Sequence, residues 1–158
     1  MINVAVLTIS DTRSLADDQS GKAVQELLPQ DKYELAGYEI VKDDIKQIEK
    51  RLRYFSHDLK VDLVLTNGGT GLGPRDVTPE ATRLVIDKEI PGIAEMMRME
   101  GIKKTNRAVL SRSVAGLTGQ TLIINLPGSP AGARESLEII LAIIPHALNM
   151  VQGKKHNT

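Results

Sequence analysis

The chain has 158 residues, with twenty basic and twenty acidic side chains, three histidines and no cysteine. That length suits one domain, able to bury about two-thirds of its unfolded surface without staples. The absence of thiols excludes a disulfide framework, a thiolate metal site and a cysteine nucleophile, and the balanced charge argues against a general nucleic-acid or anionic-membrane surface. Three tyrosines, one phenylalanine and no tryptophan leave few platforms for stacking bases, so the core must be aliphatic. Met1 leads straight into an apolar run with no basic segment or small-residue cleavage site, and no stretch approaches a membrane span. A cytoplasmic location is expected.

Val4 to Ile9 reads as a first buried strand, and Ser10-Asp11-Thr12-Arg13 opens a polar loop that runs to about Ser20. Ser10 and Asp11 fit either a ligand loop at a strand's carboxyl end or ordinary turn chemistry. Ser20 is a candidate cap for a helix in which Ala23, Val24, Leu27 and Leu28 share one face, with Pro29 ending it. Tyr33 to Val41 reads as a second strand, followed by Lys42-Asp43-Asp44 and a periodic helix carrying Ile45, Ile48, Leu52, Phe55 and Leu59. Asp44 with Gln47 three residues later fits a capping box, which gives Asp44 a structural task. Asp43 has none.

Val61, Leu63, Val64 and Leu65 form a third buried strand that empties into glycines at 68, 69, 71 and 73. Glycine lets a backbone reach positive φ and approach a ligand closely. Thr78 is a candidate N-cap and Pro79 suits the first helical position, so the loop ends at a helix start whose free N–H groups can receive a phosphate. Arg75 and Asp76 stand between. The dinucleotide fingerprint fails because Pro74 occupies a required glycine position, and the Gly-Lys-Ser/Thr of the Walker loop is absent. A plain tight turn needs fewer glycines and neither charge.

The next helix is expected to carry Ala81, Leu84, Val85 and Lys88 before Pro91-Gly92 breaks it, and a further helix to bury Ile93, Met96, Met97 and Ile102. The methionines read as core filler. His57 and His146 lack ligand-spaced partners and read as structural, and His156 falls in a polar tail, 154–158, expected to be mobile. Val114-Ala115-Gly116, a turn at Thr118-Gly119 and a strand from Thr121 to Leu126 have hairpin spacing, which predicts one antiparallel strand. Pro127-Gly128-Ser129-Pro130 then starts a long helix bearing Leu137, Ile140, Leu141, Ile144 and Leu148, with Ser129 as cap.

Alternating strands and helices predict a single three-layer α/β/α domain over residues 1–153, with a mostly parallel sheet and the site along the strands' carboxyl edge. The candidate loops all follow strands: Ser10 to Thr12, Asp43, Gly68 to Asp76, and Asn125 to Ser129. Main-chain N–H groups, the hydroxyls of Thr70 and Ser129, and Arg75 or Arg112 suit phosphate. The carboxylates of Asp11, Asp43 and Asp76 suit Mg²⁺.

Gly-Gly-Thr-Gly followed by Pro74-Arg75-Asp76-Val77-Thr78-Pro79-Glu80-Ala81, then Leu110-Ser111-Arg112-Ser113 and Asn125-Leu126-Pro127-Gly128-Ser129-Pro130, resembles the molybdopterin-binding MogA/MoaB family of molybdenum cofactor biosynthesis. In length the chain is nearest the short MoaB-like members. The resemblance implies adenylylation of the terminal phosphate of molybdopterin by MgATP, releasing pyrophosphate. It places Asp43 and Asp76 at the metal and triphosphate, and Ser10, Asp11, Gly68, Gly69, Thr70, Gly71, Arg75, Ser111, Arg112, Pro127, Gly128 and Ser129 around the ligands. It also implies a homotrimer or a dimer of trimers and transient contact with other proteins of the pathway. Lys42 departs from the family's proline before the functional aspartate. A carrier that binds molybdopterin without transfer, and an unrelated nucleotide-binding regulator of similar α/β design, are the competing readings.

Overall fold

The computed structural model describes residues 1–154; His156 and most of the expected tail lie outside the described residues. Six strands form one sheet in the order β2-β1-β3-β6-β5-β4. They are β1 (Ile2–Ile9), β2 (Tyr33–Val41), β3 (Leu63–Asn67), β4 (Lys88–Glu89), β5 (Ala115–Thr118) and β6 (Thr121–Leu126). β1, β2, β3 and β6 are mutually parallel, while β5 pairs antiparallel with both β4 and β6. Among the described residues β5 is therefore the one strand of opposite direction, as its hairpin spacing predicts.

Side chains of the central strands alternate between two cores, as the period of two demands. Val4, Val6, Leu63, Leu65, Leu122 and Ile124 face α1 (Gln19–Leu27), α4 (Pro91–Gly101), α5 (Pro130–Ile140) and α6 (Ile144–Val151). Ala5, Leu7, Ile9, Val64 and Ile123 face α2 (Ile45–Arg53) and α3 (Thr78–Val85). Burial on both faces explains the unbroken aliphatic runs of these strands. The register sets Ile9 beside Val41, Thr8 beside Asn67, and Asn67 beside Leu126. Four strand ends thus lie side by side, and the four candidate loops leave from one edge.

Several local expectations are corrected. α1 is capped by Asp18, whose carboxylate accepts the Gly21 N–H, and Ser20 lies inside the helix. Thr78 is the first residue of α3, with its hydroxyl donating to the Gly68 carbonyl at 2.8 Å, so it ties the helix to the loop without receiving a helical N–H. α3 stops at Val85, which leaves Lys88 free to join β4, and Leu84 is exposed. Met96 and Ile102 are exposed too; α4 buries Ile93, Ala94 and Met97. α2 gives way to a wider turn at Tyr54–Asp58 that buries Phe55 and leaves Leu59 exposed. The expected long C-terminal helix is two helices joined at Leu141–Ile143. Pro145 explains the break, because it has no N–H to donate to the carbonyl four residues back. Asp44 caps α2 as predicted, accepting the Gln47 N–H at 2.9 Å.

Candidate active site

The glycine loop is built from its root at β3. Gly68 has φ +104°, and a Cβ there would stand 2.3 Å from the Ile9 carbonyl oxygen of β1. Its N–H donates to Leu126 O of β6 at 3.1 Å, so the loop leaves the sheet wedged between two neighbouring strand ends. Gly69, at φ +70°, passes so close that a Cβ would lie 2.3 Å from Thr78 Oγ1 and 3.2 Å from Asp43 Oδ1. These two positions require glycine. Further along, the Gly73 N–H donates to Asp76 Oδ2 at 2.8 Å and the Asp76 N–H returns to Gly73 O at 3.1 Å, closing a small turn.

Asp11, Asp43, Arg75 and Asp76 come together on the outer side of this loop. Arg75 donates Nε and Nη2 to the two Asp11 oxygens at 3.0 and 3.1 Å, and Asp11 Oδ1 also accepts the Asp43 N–H at 3.1 Å. The Arg75 hydrogen bond, above all, holds the Asp11 carboxyl below its usual range. Asp43 moves the other way: burial pushes it up, and the neighbouring charges of Asp11 and Asp76 add to that. Three carboxylates with one guanidinium leave a local excess of negative charge that a cation relieves. Among the described residues no three acidic or histidine side chains converge to hold a metal alone. Mg²⁺ ordinarily takes one or two carboxylates and completes its shell with phosphate and water, so Asp43 and Asp76 fit it in that mode.

The loop also borders a cleft of about 540 Å³ whose lining includes none of Asp11, Asp43, Arg75 and Asp76; it is bounded by Thr70, Gly71, Ser111, Pro127 and Ser129 together with residues of α4, α5 and the segment 104–110. Ser129 caps α5, its Oγ accepting the Gly132 N–H at 3.0 Å, which leaves its own O–H able to donate into the cleft mouth. The loop thus separates two halves: a cleft with apolar walls and a helix start, and a carboxylate cluster. The sequence-predicted residues divide between them. Asp11, Asp43, Arg75 and Asp76 belong to the cluster, and Thr70, Gly71, Ser111, Pro127 and Ser129 to the cleft. Ser10 touches neither; its hydroxyl accepts from Thr12 and Arg13 N–H groups, which is turn chemistry. Arg112 lies behind the loop, with its donors aimed at protein acceptors.

Residues 5–146 match the family described as probable molybdopterin binding domain. The chain belongs to that molybdopterin-binding family. Among its relatives, the molybdopterin adenylyltransferase of Helicobacter pylori strain 26695 is 43% identical, over 96% of this chain and 89% of its own length. The molybdenum cofactor biosynthesis protein B of Bacillus cereus is 39% identical, over 92% of this chain and 88% of its own. Among solved structures, the molybdopterin biosynthesis enzyme MoaB of Thermus thermophilus superposes with a TM-score of 0.90 at 52% identity, covering 98% of both chains. The tungsten cofactor synthesizing protein MoaB of Pyrococcus furiosus has a TM-score of 0.81 at 30% identity, covering 96% of this chain and 97% of its own.

Sequence reasoning missed the polar scaffold beneath this molybdopterin-binding fold's site. Asp18, fully buried, accepts from the Thr8 hydroxyl at 2.5 Å and the Tyr38 hydroxyl at 2.6 Å, while Asn67 donates to Thr8 Oγ1 at 2.9 Å. Burial and the Asp18 charge push the Tyr38 phenol up, which keeps it a donor. The scaffold joins β1, β2 and α1 to the residue just before Gly68. Ser20 donates to the Gly128 carbonyl and accepts from Arg13 at 3.0 Å, which ties the first loop to the Pro127–Ser129 turn. No local signal marks these partners, since Ser20 and Gly128 are 108 positions apart.

Proposed function

We propose that the protein is a molybdopterin adenylyltransferase of molybdenum cofactor biosynthesis, transferring AMP from MgATP to the terminal phosphate of molybdopterin. The observation that carries this reading is the division of the site by one glycine loop. A cleft ending at a capped helix start suits a phosphate-bearing fused-ring pterin, and a carboxylate cluster at its border suits a metal-bound triphosphate. Relatives named molybdopterin adenylyltransferase at 43% and 44% identity support it.

A phosphate oxygen of molybdopterin attacks the α-phosphorus of ATP, a new P–O bond forms, and the bond to the departing pyrophosphate breaks. The attacking phosphate is already ionised at neutral pH, so alignment and charge neutralisation carry the rate and no general base is required. The Ser129 hydroxyl, the Ala131 N–H in the first turn of α5 and the Thr70 side of the loop hold the pterin phosphate. Asp43 and Asp76 are the residues for Mg²⁺, which when bound neutralises charge on the triphosphate. Arg75 is placed to exchange Asp11 for a nucleotide phosphate. Self-association through the exposed Met96, Met99 and Ile102 of α4 and its end, as a trimer or dimer of trimers, and a cytoplasmic location belong to the same reading.

A second reading, a carrier that binds molybdopterin without transfer, draws on Asp76 Oδ2, which accepts the Gly73 N–H and so braces the loop. Incubating the purified protein with metal-free molybdopterin and MgATP separates the two. Wild type is expected to yield adenylylated pterin and pyrophosphate, and Asp76→Asn to bind pterin within about threefold of wild type with no turnover. Pterin binding by wild type without product establishes the carrier.

A further inference from the structure

We propose that Arg112 is a positioning residue for the nucleotide half of the site, acting through the shape of the glycine loop. This rests on the adenylyl-transfer reading above. Arg112 sits just before β5, yet three faces of its guanidinium reach back across 32 or more positions of chain. Nε donates to Gly71 O at 2.8 Å, Nη2 donates to Asp76 O at 2.8 Å, and Nη1 pairs with Glu80 in the first turn of α3. Its own main-chain N–H donates to Thr70 O at 2.9 Å. The side chain therefore clamps the loop at its start, at its end and at the helix it feeds.

The consequence for Asp76 is geometric. With its carbonyl fixed by Arg112 and its Oδ2 by Gly73, Asp76 has one carboxylate oxygen, Oδ1, left to face a ligand, in a set direction. Two other ties hold this segment among the described residues, the exposed Arg75–Asp11 pair at 3.0 and 3.1 Å and the turn in which Gly73 and Asp76 bond to each other, while Leu72 is exposed. Removing the clamp leaves only the solvent-exposed Arg75–Asp11 pair and the Gly73–Asp76 turn to hold the loop's one metal-facing carboxylate in place. Glu80 completes the device. Arg112 holds the Glu80 carboxyl below its usual range, which keeps Glu80 ionised and paired at neutral pH. A planar fork is needed here, because a lysine presents a single ammonium that cannot reach two carbonyls and a carboxylate together.

Arg112→Lys is the discriminating variant, since it keeps the positive charge and loses the fork; Glu80→Gln removes the charge partner on a residue that touches no ligand. Both side chains are partly exposed, at 34% and 47%, and the variants are expected to fold. Hydrogen exchange of the free protein reads the loop without reference to activity, and faster exchange of the Gly73 and Asp76 amides is expected in both variants. In the adenylylation assay, Arg112→Lys is expected to lower kcat by about 10- to 100-fold while molybdopterin Kd changes by less than about threefold; pterin binding capacity counts the folded fraction. Glu80→Gln should shift the same quantities in the same direction and less far. A weakened pterin Kd with unchanged kcat and unchanged loop exchange would overturn the proposal and make Arg112 a ligand contact. Should wild type itself give no product, the exchange data still decide whether Arg112 clamps the loop, and unchanged exchange refutes the clamp.

Discussion

Gly68→Ala tests the claim that the site is organised by a glycine wedged between strand ends. Two costs arise in the structure. Alanine must adopt φ near +104°, a region that costs about 1–3 kcal/mol for a residue with a side chain. Its Cβ, 2.3 Å from Ile9 O, must also move by about 1 Å away from the Ile9 backbone. That displacement breaks the 3.1 Å bond from Gly68 N–H to Leu126 O and the 2.8 Å bond from Thr78 Oγ1 to Gly68 O, about 1 kcal/mol each. Together the loss is about 3–5 kcal/mol, or about 6–20 °C in Tm for a domain of this size. Gly119→Ala is the control. Gly119 has φ +57° in the β5–β6 turn with open space around its Cβ, so it loses only the left-handed penalty of about 1–2 kcal/mol. Thermal unfolding followed by circular dichroism compares them directly. If Gly68→Ala proves no less stable than Gly119→Ala, the close approach to Ile9 does not shape the loop and the reasoning fails.

Two further substitutions separate stability from function. Burial and two like charges raise the folded pKa of Asp43, so its ionised form costs stability: the penalty is absent below the unfolded pKa and sets in as pH rises through the folded one. Asp43→Asn is therefore expected to have a higher Tm than wild type at neutral pH without metal, with the gap closing as pH falls towards the usual aspartate range, while turnover drops; an equal Tm at neutral pH contradicts the charge crowding. Ser129 is both cap and proposed phosphate donor. Ser129→Ala should lose about 1 kcal/mol of stability and Ser129→Gly only a few tenths, yet both should weaken molybdopterin binding alike in titration. Binding that follows stability between the two would remove the hydroxyl from the ligand.

The strands and most helices were legible from the sequence because their signals are local. Val4 to Ile9 and Thr121 to Leu126 are aliphatic runs too short and too β-branched for helices, and Asp44 with Gln47 and Ser129 with Pro130 announce helix starts within four residues. The local errors have local competitors. Ser20 lost the cap to Asp18 because a buried carboxylate could gather the Gly21 N–H, the Thr8 hydroxyl and the Tyr38 hydroxyl at once. Met96 and Ile102 were assigned to the core on hydrophobicity, but the helix turns them to the surface.

What the sequence by itself determined was the set of loops and the chemistry each can offer: glycines 68, 69, 71 and 73 for close backbone approach, Asp43 without a capping task, and a serine-capped helix after β6. The tertiary structure alone decided how those loops divide the work. The parallel register of β2, β1, β3 and β6 brings their ends together, which sets Asp11 against Arg75 and Asp43 beside Asp76, and leaves Ser129 across the loop in a separate cleft. It also set the Arg112 guanidinium onto the loop's own carbonyls, at Gly71 and Asp76. The physical reason is range: periodicity and capping act over a few residues, whereas the partner of a guanidinium or a buried carboxylate is chosen by strand order, and strand order is settled only when the whole sheet closes.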